Sequence, residues 1–193
     1  MPKNQNNGNI FLETLSWLCD KLEVLNIPYM VTGGSAVGFW GHIRTTMDID
    51  ILVQMPMAKS DTFFKNIKEE AYVDLDEAKR AISQHEMFNI ILNKNCFKVD
   101  IIPLNEKNDY EVVKFKRRVK IKFEGKEIFV ISPEDLIISK LMWGKSAGTS
   151  ERQLRDCASI WKLNQDKLDR VYIKKWTKQI KIEDEFAKLE VEK

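Results

Sequence analysis

The chain has few of the features that would tie it to a membrane, to a structural metal or to a charged polymer. It contains no apolar run of about 18 residues and no signal peptide, so we expect no membrane contact. Its three cysteines are odd in number and fit no zinc spacing, which favours reduced thiols in a cytoplasmic protein. The net charge is only +2, so no overall field demands nucleic acid or an anionic membrane.

The length and composition indicate one globular unit with a helical addition. The chain has 193 residues, of which 44% are hydrophobic and 31% are charged. We predict a disordered lead over residues 1–9, a core over 10–131 and a helical C-terminal portion over 132–193 that packs on the core. The first helix of the core is expected at Ile10–Leu25, where leucines recur at helical spacing.

A glycine turn lies near the start of the segment around which the chain is organised, YMVTGGSAVGFWGHIRTTMDIDILV at residues 29–53. A short apolar strand stops at Gly33, Gly34 and Ser35, where a turn with positive φ costs least. A helix can begin directly after it. Free N–H groups at a helix start bind anions, so the sequence predicts a phosphate site at this turn.

Two aspartates lie in the apolar strand predicted at Met47–Val53. Asp48 and Asp50 share one face of that strand, with Cα atoms about 6.6 Å apart. Like charges so placed are unfavourable without a cation. Carboxylates with this spacing can converge on two divalent ions, so we expect two Mg²⁺, with Mn²⁺ as a substitute. The alternative is a solvated strand edge with no function.

A third acid lies in the run FKVDIIPL at residues 97–104. Two strands, Met87–Leu92 and Cys96–Leu104, are predicted on either side of a hairpin turn. An isolated charge at Asp100 would be costly in a core strand, so a metal or another partner is expected. Backbone N–H groups at a strand end would be the other explanation.

The stretch KFKRRVKIK at residues 114–122 holds six basic residues among apolar ones. The alternation from Arg118 onward favours a strand with a solvated basic face. The functional alternative is a phosphate track for an RNA acceptor, whose binding would weaken with salt.

The C-terminal portion begins with a strong helix start. Ser132 is a predicted N-cap and Pro133 the first helical residue. The predicted helices are Glu134–Lys145, Glu151–Leu163, Asp166–Ile180 and Glu183–Leu189.

These motifs resemble the DNA polymerase beta-like nucleotidyltransferase superfamily. Its signature appears as Gly34-Ser35, a spacer of 12 residues, and Asp48-Ile49-Asp50-Ile51. Residues 44–46, Arg-Thr-Thr, resemble the small bacterial branch that includes AbiEii-type toxins. The downstream SPEDLIISKL, followed by a polar loop and R-x-x-R-D, is similar to a motif of the same branch.

The resemblance implies an α+β fold with a mixed-sheet nucleotidyltransferase core of α/β/α type. It also implies transfer of an NMP from an NTP to a hydroxyl, with pyrophosphate as the other product. The acids Asp48, Asp50 and Asp100 would be catalytic and would hold the metal. The nucleotide would be bound by Gly33, Gly34, Ser35, Arg44, Lys140, Arg155 and Asp156. The alternatives are a surface lysine at position 140 and a surface ion pair at 155 and 156.

The acceptor stays open at this stage. The resemblance to AbiEii-type toxins favours a toxin or phage-defence enzyme that acts on tRNA or other RNA, with a cognate antitoxin as partner. A small-molecule acceptor of the antibiotic type is the second hypothesis. A non-catalytic nucleotide- or RNA-binding module is a third. A Rossmann-type dinucleotide site is disfavoured because the glycines do not spell G-x-G-x-x-G.

Overall fold

A computed structural model describes residues 5–42, 46, 48–146 and 151–191. In these ranges the helices are α1 Gln5–Val24, α2 Gly33–Trp40, α3 Met57–Ile67, α4 Leu75–Gln84, α5 Asp109–Lys116, α6 Pro133–Ser146, α7 Glu151–Asn164, α8 Arg170–Gln179 and α9 Glu183–Val191. The strands are β1 Tyr29–Thr32, β2 Asp48–Val53, β3 Ala71–Tyr72, β4 Phe88–Leu92, β5 Lys98–Pro103, β6 Val119–Phe123 and β7 Lys126–Val130.

All seven strands form one mixed sheet in the order β3-β4-β5-β2-β1-β7-β6. The pairs β2–β5 and β1–β7 are parallel and the other neighbours are antiparallel. Strand β2 is central, and its Ile49, Ile51 and Val53 side chains are fully buried. Since successive side chains alternate between the two faces, Asp48 and Asp50 lie on the opposite face from these three.

The helices pack in two groups, which gives the predicted α/β/α arrangement. Helices α1, α3 and α4 form one group, and α1 contacts β2. Helices α2, α6, α7, α8 and α9 form the other, and α2 contacts β1 and β2. A single hydrophobic core includes side chains of both groups and of the sheet. The mixed-sheet α+β fold is therefore confirmed.

A buried polar network, here called the α6 network, joins the start of α6 to α5 and α8. Ser132 caps α6, since its Oγ accepts from the Asp135 amide at 3.1 Å, as predicted. The Asp135 carboxylate is fully buried and accepts from Ser132 at 2.7 Å, Tyr172 at 2.6 Å and Tyr110 at 3.2 Å. Arg117 donates to Asp135 and to Glu134, each at 3.3 Å.

Helices α1, α5 and α8 differ from the predictions. Helix α1 begins at Gln5, so residues 5–9 of the lead predicted to be disordered are helical. Helix α5 was not predicted; the Asn108 side chain caps it by accepting from two backbone amides. The helix predicted from Asp166 begins at Arg170, because the Asp169 side chain accepts from the Tyr172 amide and acts as N-cap.

Further predictions concern the cysteines, membrane contact, location and domain boundaries. The three cysteines are free, two of them buried and Cys96 exposed. Within the described residues, no helix has both the length and the apolar character needed to span a bilayer. The cytoplasmic location and the division into core and C-terminal portion stay predictions.

Candidate active site

The three predicted acids lie side by side on β2 and β5. In the parallel ladder Asp50 is paired with Asp100, and Asp48 is paired with Lys98. Paired residues project to the same face, so Asp48, Asp50 and Asp100, called here the sheet carboxylates, share one face of two adjacent strands. Asp48 is partly exposed and accepts from Thr46 Oγ1 at 2.8 Å, whereas Asp100 is only 5% exposed.

The glycine turn fits closely around Asp50. Gly33 adopts φ +58°, and a Cβ placed there would lie 2.2 Å from Asp50 Oδ2. Two independent constraints, the backbone angle and the space, therefore require glycine at this position. The Gly34 amide donates to Asp50 Oδ2 at 2.9 Å. The turn thus places the start of α2 against the second acid of β2.

Ser35 is buried and serves the turn itself. Its Oγ donates to the Thr32 carbonyl at 3.0 Å and accepts from the Asp50 amide at 3.3 Å. The Gly34 amide and the Ser35 hydroxyl, both predicted to contact phosphate, are therefore already used in fixing β2 against α2.

Burial raises the pKa of the Asp50 carboxyl above its ordinary value. The Gly34 amide opposes that shift, because it donates to the ionised form. Asp48 and Asp100 raise the pKa further by repulsion, and Lys140 lowers it by attraction. The groups that favour the ionised Asp50 carboxylate therefore do not fully offset its burial and the repulsion from the other two acids.

Lys98 lies among the sheet carboxylates, and the sequence motifs do not include it. Its ammonium is 3.0 Å from Asp100 Oδ2 and 4.0 Å from Asp48 Oδ2. The hydrogen bond to Asp100 raises the pKa of the Lys98 ammonium. Period-2 spacing before Asp100 would have placed it on the acidic face.

The sheet carboxylates match the ligand chemistry of a divalent cation. Asp100 Oδ1 is buried and has no hydrogen-bond partner among the described residues. A buried carboxylate oxygen without a donor is costly, and a cation would satisfy it. No group of three or more His, Cys, Asp and Glu side chains in the described ranges is already arranged to hold a metal. Lys98 lies between two of the carboxylates.

Lys140 is buried rather than on the surface. It is 5% exposed, and its ammonium donates to Asp156 Oδ2 at 2.8 Å and to Gln153 at 3.1 Å. Asp156 is 1% exposed, and its other oxygen lies 3.7 Å from His42 Nε2. Asp156 thus fixes Lys140 near Asp50, and both surface alternatives are wrong for this pair. Gln153 is identified only by its contact with Lys140, and His42 only by its contact with Asp156; no sequence pattern marks either residue.

Two other predicted nucleotide contacts are not assembled with this pair. Arg155 is exposed, and as the neighbour of Asp156 it lies on a different face of α7. Arg44 lies outside the described residues.

The basic stretch divides into two bound arginines and a strand with exposed lysines. Arg117 binds two carboxylates of the α6 network and stacks on Tyr172 at 3.8 Å. Arg118 lies over Phe115 at 4.4 Å and over Phe129 at 4.9 Å. The strand predicted from Arg118 onward is β6, and its Lys120 and Lys122 side chains are exposed as expected, whereas Arg118 is not.

The chain belongs to a family of nucleotidyltransferases. Residues 11–192 match the family described as nucleotidyltransferase of unknown function (DUF6036). The enzyme class predicted from the motifs is thereby confirmed, while the AbiEii-type branch stays a prediction. No curated protein matches the chain in sequence.

Solved structures of nucleotidyltransferases share the fold at low sequence identity. An antigenic nucleotidyltransferase-like protein from Paracoccidioides brasiliensis aligns with a TM-score of 0.57 and 17% identity, over 78% of this chain and 75% of its own. The lincomycin-bound lincosamide adenylyltransferase LnuA aligns with 0.51 and 16%, over 77% and 94%. ANT(2")-Ia in complex with adenylyl-2"-tobramycin aligns with 0.53 and 11%, over 94% and 97%.

Proposed function

We propose that this protein transfers an NMP from an NTP to a hydroxyl group with the help of Mg²⁺ held by Asp48, Asp50 and Asp100. The observation that carries the proposal is the register of β2 and β5, which sets Asp50 beside Asp100, together with the buried Asp100 Oδ1, which has no partner among the described residues. Bound Mg²⁺ would stabilise charge on the phosphoryl oxygens and ease deprotonation of the acceptor.

The remaining groups position the substrates. Asp100, whose buried Oδ1 has no hydrogen-bond partner among the described residues, would bind one metal and activate the acceptor hydroxyl. Lys140, held by Asp156, offsets negative charge that the triphosphate brings beside Asp50. Gly33, Gly34 and Ser35, the first residues of α2, are proposed to contact the phosphates. Roles for Arg44 and Arg155 stay part of the proposal.

A small hydroxylated molecule is the acceptor we favour. The two arginines at the centre of the basic stretch bind within the protein, which weakens the case for a phosphate track. The chain also aligns with almost the whole of ANT(2")-Ia, whose structure contains an adenylylated aminoglycoside. A tRNA or other RNA acceptor, with a toxin or phage-defence role and a cognate antitoxin, is the second candidate, supported by the AbiEii-like motifs.

Transfer of label tests both candidates. The purified protein is incubated with each α-labelled NTP and Mg²⁺, together with an aminoglycoside and lincosamide mixture or with total cellular RNA. Label on an antibiotic supports the first acceptor, and label on RNA supports the second. No transfer to any acceptor, including the protein itself, together with no Mg²⁺-dependent thermal stabilisation by any NTP, would favour a non-catalytic module.

Asp48→Asn is the loss-of-function control in that assay. Asp48 is partly exposed, so the isosteric change should leave the fold intact while transfer is lost. Asp61→Asn makes the same chemical change at a surface ion pair with Lys79 and should transfer normally. Full activity of Asp48→Asn would refute the assigned site.

A further inference from the structure

Lys98 is the exposed cation of the candidate active site. Its side chain is 42% exposed, whereas that of Lys140 is 6% exposed and bound to a buried aspartate. A lysine with part of its stem in solvent can swing away from the sheet by rotation about its side-chain bonds. The ammonium on the sheet carboxylates is therefore exchangeable, while the one beside Asp156 is fixed.

The Lys98 ammonium lies where a cation would bind Asp48 and Asp100. It bonds one oxygen of Asp100 at 3.0 Å, and the other oxygen of Asp100 is buried and has no partner in the part of the chain that the structure describes. It also lies 4.0 Å from Asp48 Oδ2. A divalent cation that bound these two carboxylates would lie within a few ångströms of the ammonium and would be repelled by it. Each cation therefore weakens the binding of the other at Asp100.

We propose that Lys98 is an internal counter-cation that competes with divalent metal for Asp48 and Asp100, so that metal is held tightly only together with a nucleoside triphosphate. The second half of this inference rests on the proposed function. A triphosphate supplies anionic oxygens to the displaced ammonium, and metal without a triphosphate leaves it with no new partner at the site. Because binding linkage is reciprocal, the nucleotide tightens metal binding as much as the metal tightens nucleotide binding.

The competition is measured with Mn²⁺ alone, as the spectroscopic substitute for Mg²⁺. The electron paramagnetic resonance signal of free aqueous Mn²⁺ is followed while the full-length protein is titrated without nucleotide. We expect Lys98→Met to bind Mn²⁺ at least about tenfold more tightly than wild type, because one nearby positive charge is removed. Mn²⁺ should also raise the melting temperature of Lys98→Met more than that of wild type.

Two matched variants distinguish the effect of the positive charge at position 98 from the effect of replacing any lysine. Lys98→Arg keeps the cation and should bind Mn²⁺ within about twofold of wild type, a difference well under 1.4 kcal/mol. Lys120→Met removes a surface lysine that pairs with Glu127 and should also match wild type. Lys98→Gln provides a second neutral variant in case Lys98→Met is poorly folded.

The dependence on nucleotide is measured by repeating the titration with the α,β-methylene analogue of the transferred NTP. Wild type should gain Mn²⁺ affinity with the analogue by a larger factor than Lys98→Met does. Equal or weaker Mn²⁺ binding by folded Lys98→Met and Lys98→Gln overturns the inference, and normal NMP transfer in wild type would then leave the proposed function standing. Conversely, tighter Mn²⁺ binding by these variants without NMP transfer in any assay would refute the proposed function and keep the competition.

Discussion

The molecule holds buried carboxylates in two places, and they differ in how their oxygens are satisfied. In the α6 network Asp135 is fully buried, and each of its oxygens accepts hydrogen bonds from hydroxyl or guanidinium donors. Among the sheet carboxylates Asp100 is almost as buried, yet one of its oxygens has no partner in the described part of the chain. Complete satisfaction is typical of a structural group, and incomplete satisfaction indicates a ligand site.

The largest expected effect is on activity at the unsatisfied carboxylate. Asp100→Asn should lower kcat for NMP transfer by about three orders of magnitude, as expected when a group that stabilises the transition state is lost. Its melting temperature should stay close to that of wild type, since the change removes repulsion from two neighbouring acids. Single-turnover transfer and thermal unfolding on the same preparation measure both quantities. A stable variant with wild-type kcat would contradict the assignment.

The α6 network should show the reverse pattern. Asp135→Ala leaves two tyrosine hydroxyls, Ser132 and Arg117 without their shared acceptor, and should cost about 4 kcal/mol of unfolding free energy. Urea unfolding followed by tryptophan fluorescence measures this loss. Activity per folded molecule should be unchanged at low temperature. A variant that is stable but inactive would place Asp135 in the active site instead.

The buried pair of Lys140 and Asp156 combines the two behaviours. Lys140→Met alone should lower stability by about 3 kcal/mol, because a buried carboxylate loses its ammonium. The double variant Lys140→Met with Asp156→Leu should recover most of that stability, since paired apolar groups replace paired charges. Both proteins should have a raised KM for NTP. Recovery of KM together with stability would assign the pair a purely structural role.

The sequence contains enough local signal to predict the sheet carboxylates but not the groups around them. Asp48, Asp50 and Asp100 stand out because each charge interrupts an apolar strand. The Ser132 cap can be predicted from four consecutive residues. Local alternation could have placed Lys98 beside Asp100, but its approach to Asp48 depends on the parallel pairing of two distant strands.

The partners of the two arginines in the basic stretch could not be predicted for a similar reason. Arg117 and Arg118 look solvated in a local pattern, but their partners are contributed by β7, α6 and α8. Packing between distant elements thus decides which charges are free, and local periodicity carries no information about it. The fold class was predictable because the strands and helices that define it have strong local patterns.

The smallest expected effect is the pH dependence of stability at Asp50. In metal-free protein burial raises the Asp50 pKa above the ordinary 3.8, so the folded state binds this proton more readily than the unfolded chain. Stability therefore falls as pH rises from 3.8 through the raised pKa, and the penalty is complete above it. Asp50→Asn should accordingly be slightly more stable than wild type at pH 7 in EDTA, and this advantage should disappear toward pH 4. Urea unfolding across that range tests it against Asp61→Asn, where Lys79 lowers the pKa of the replaced carboxyl and the advantage should be absent. An Asp50→Asn protein that is less stable than wild type at pH 7 would mean that the Gly34 amide outweighs burial at this carboxylate.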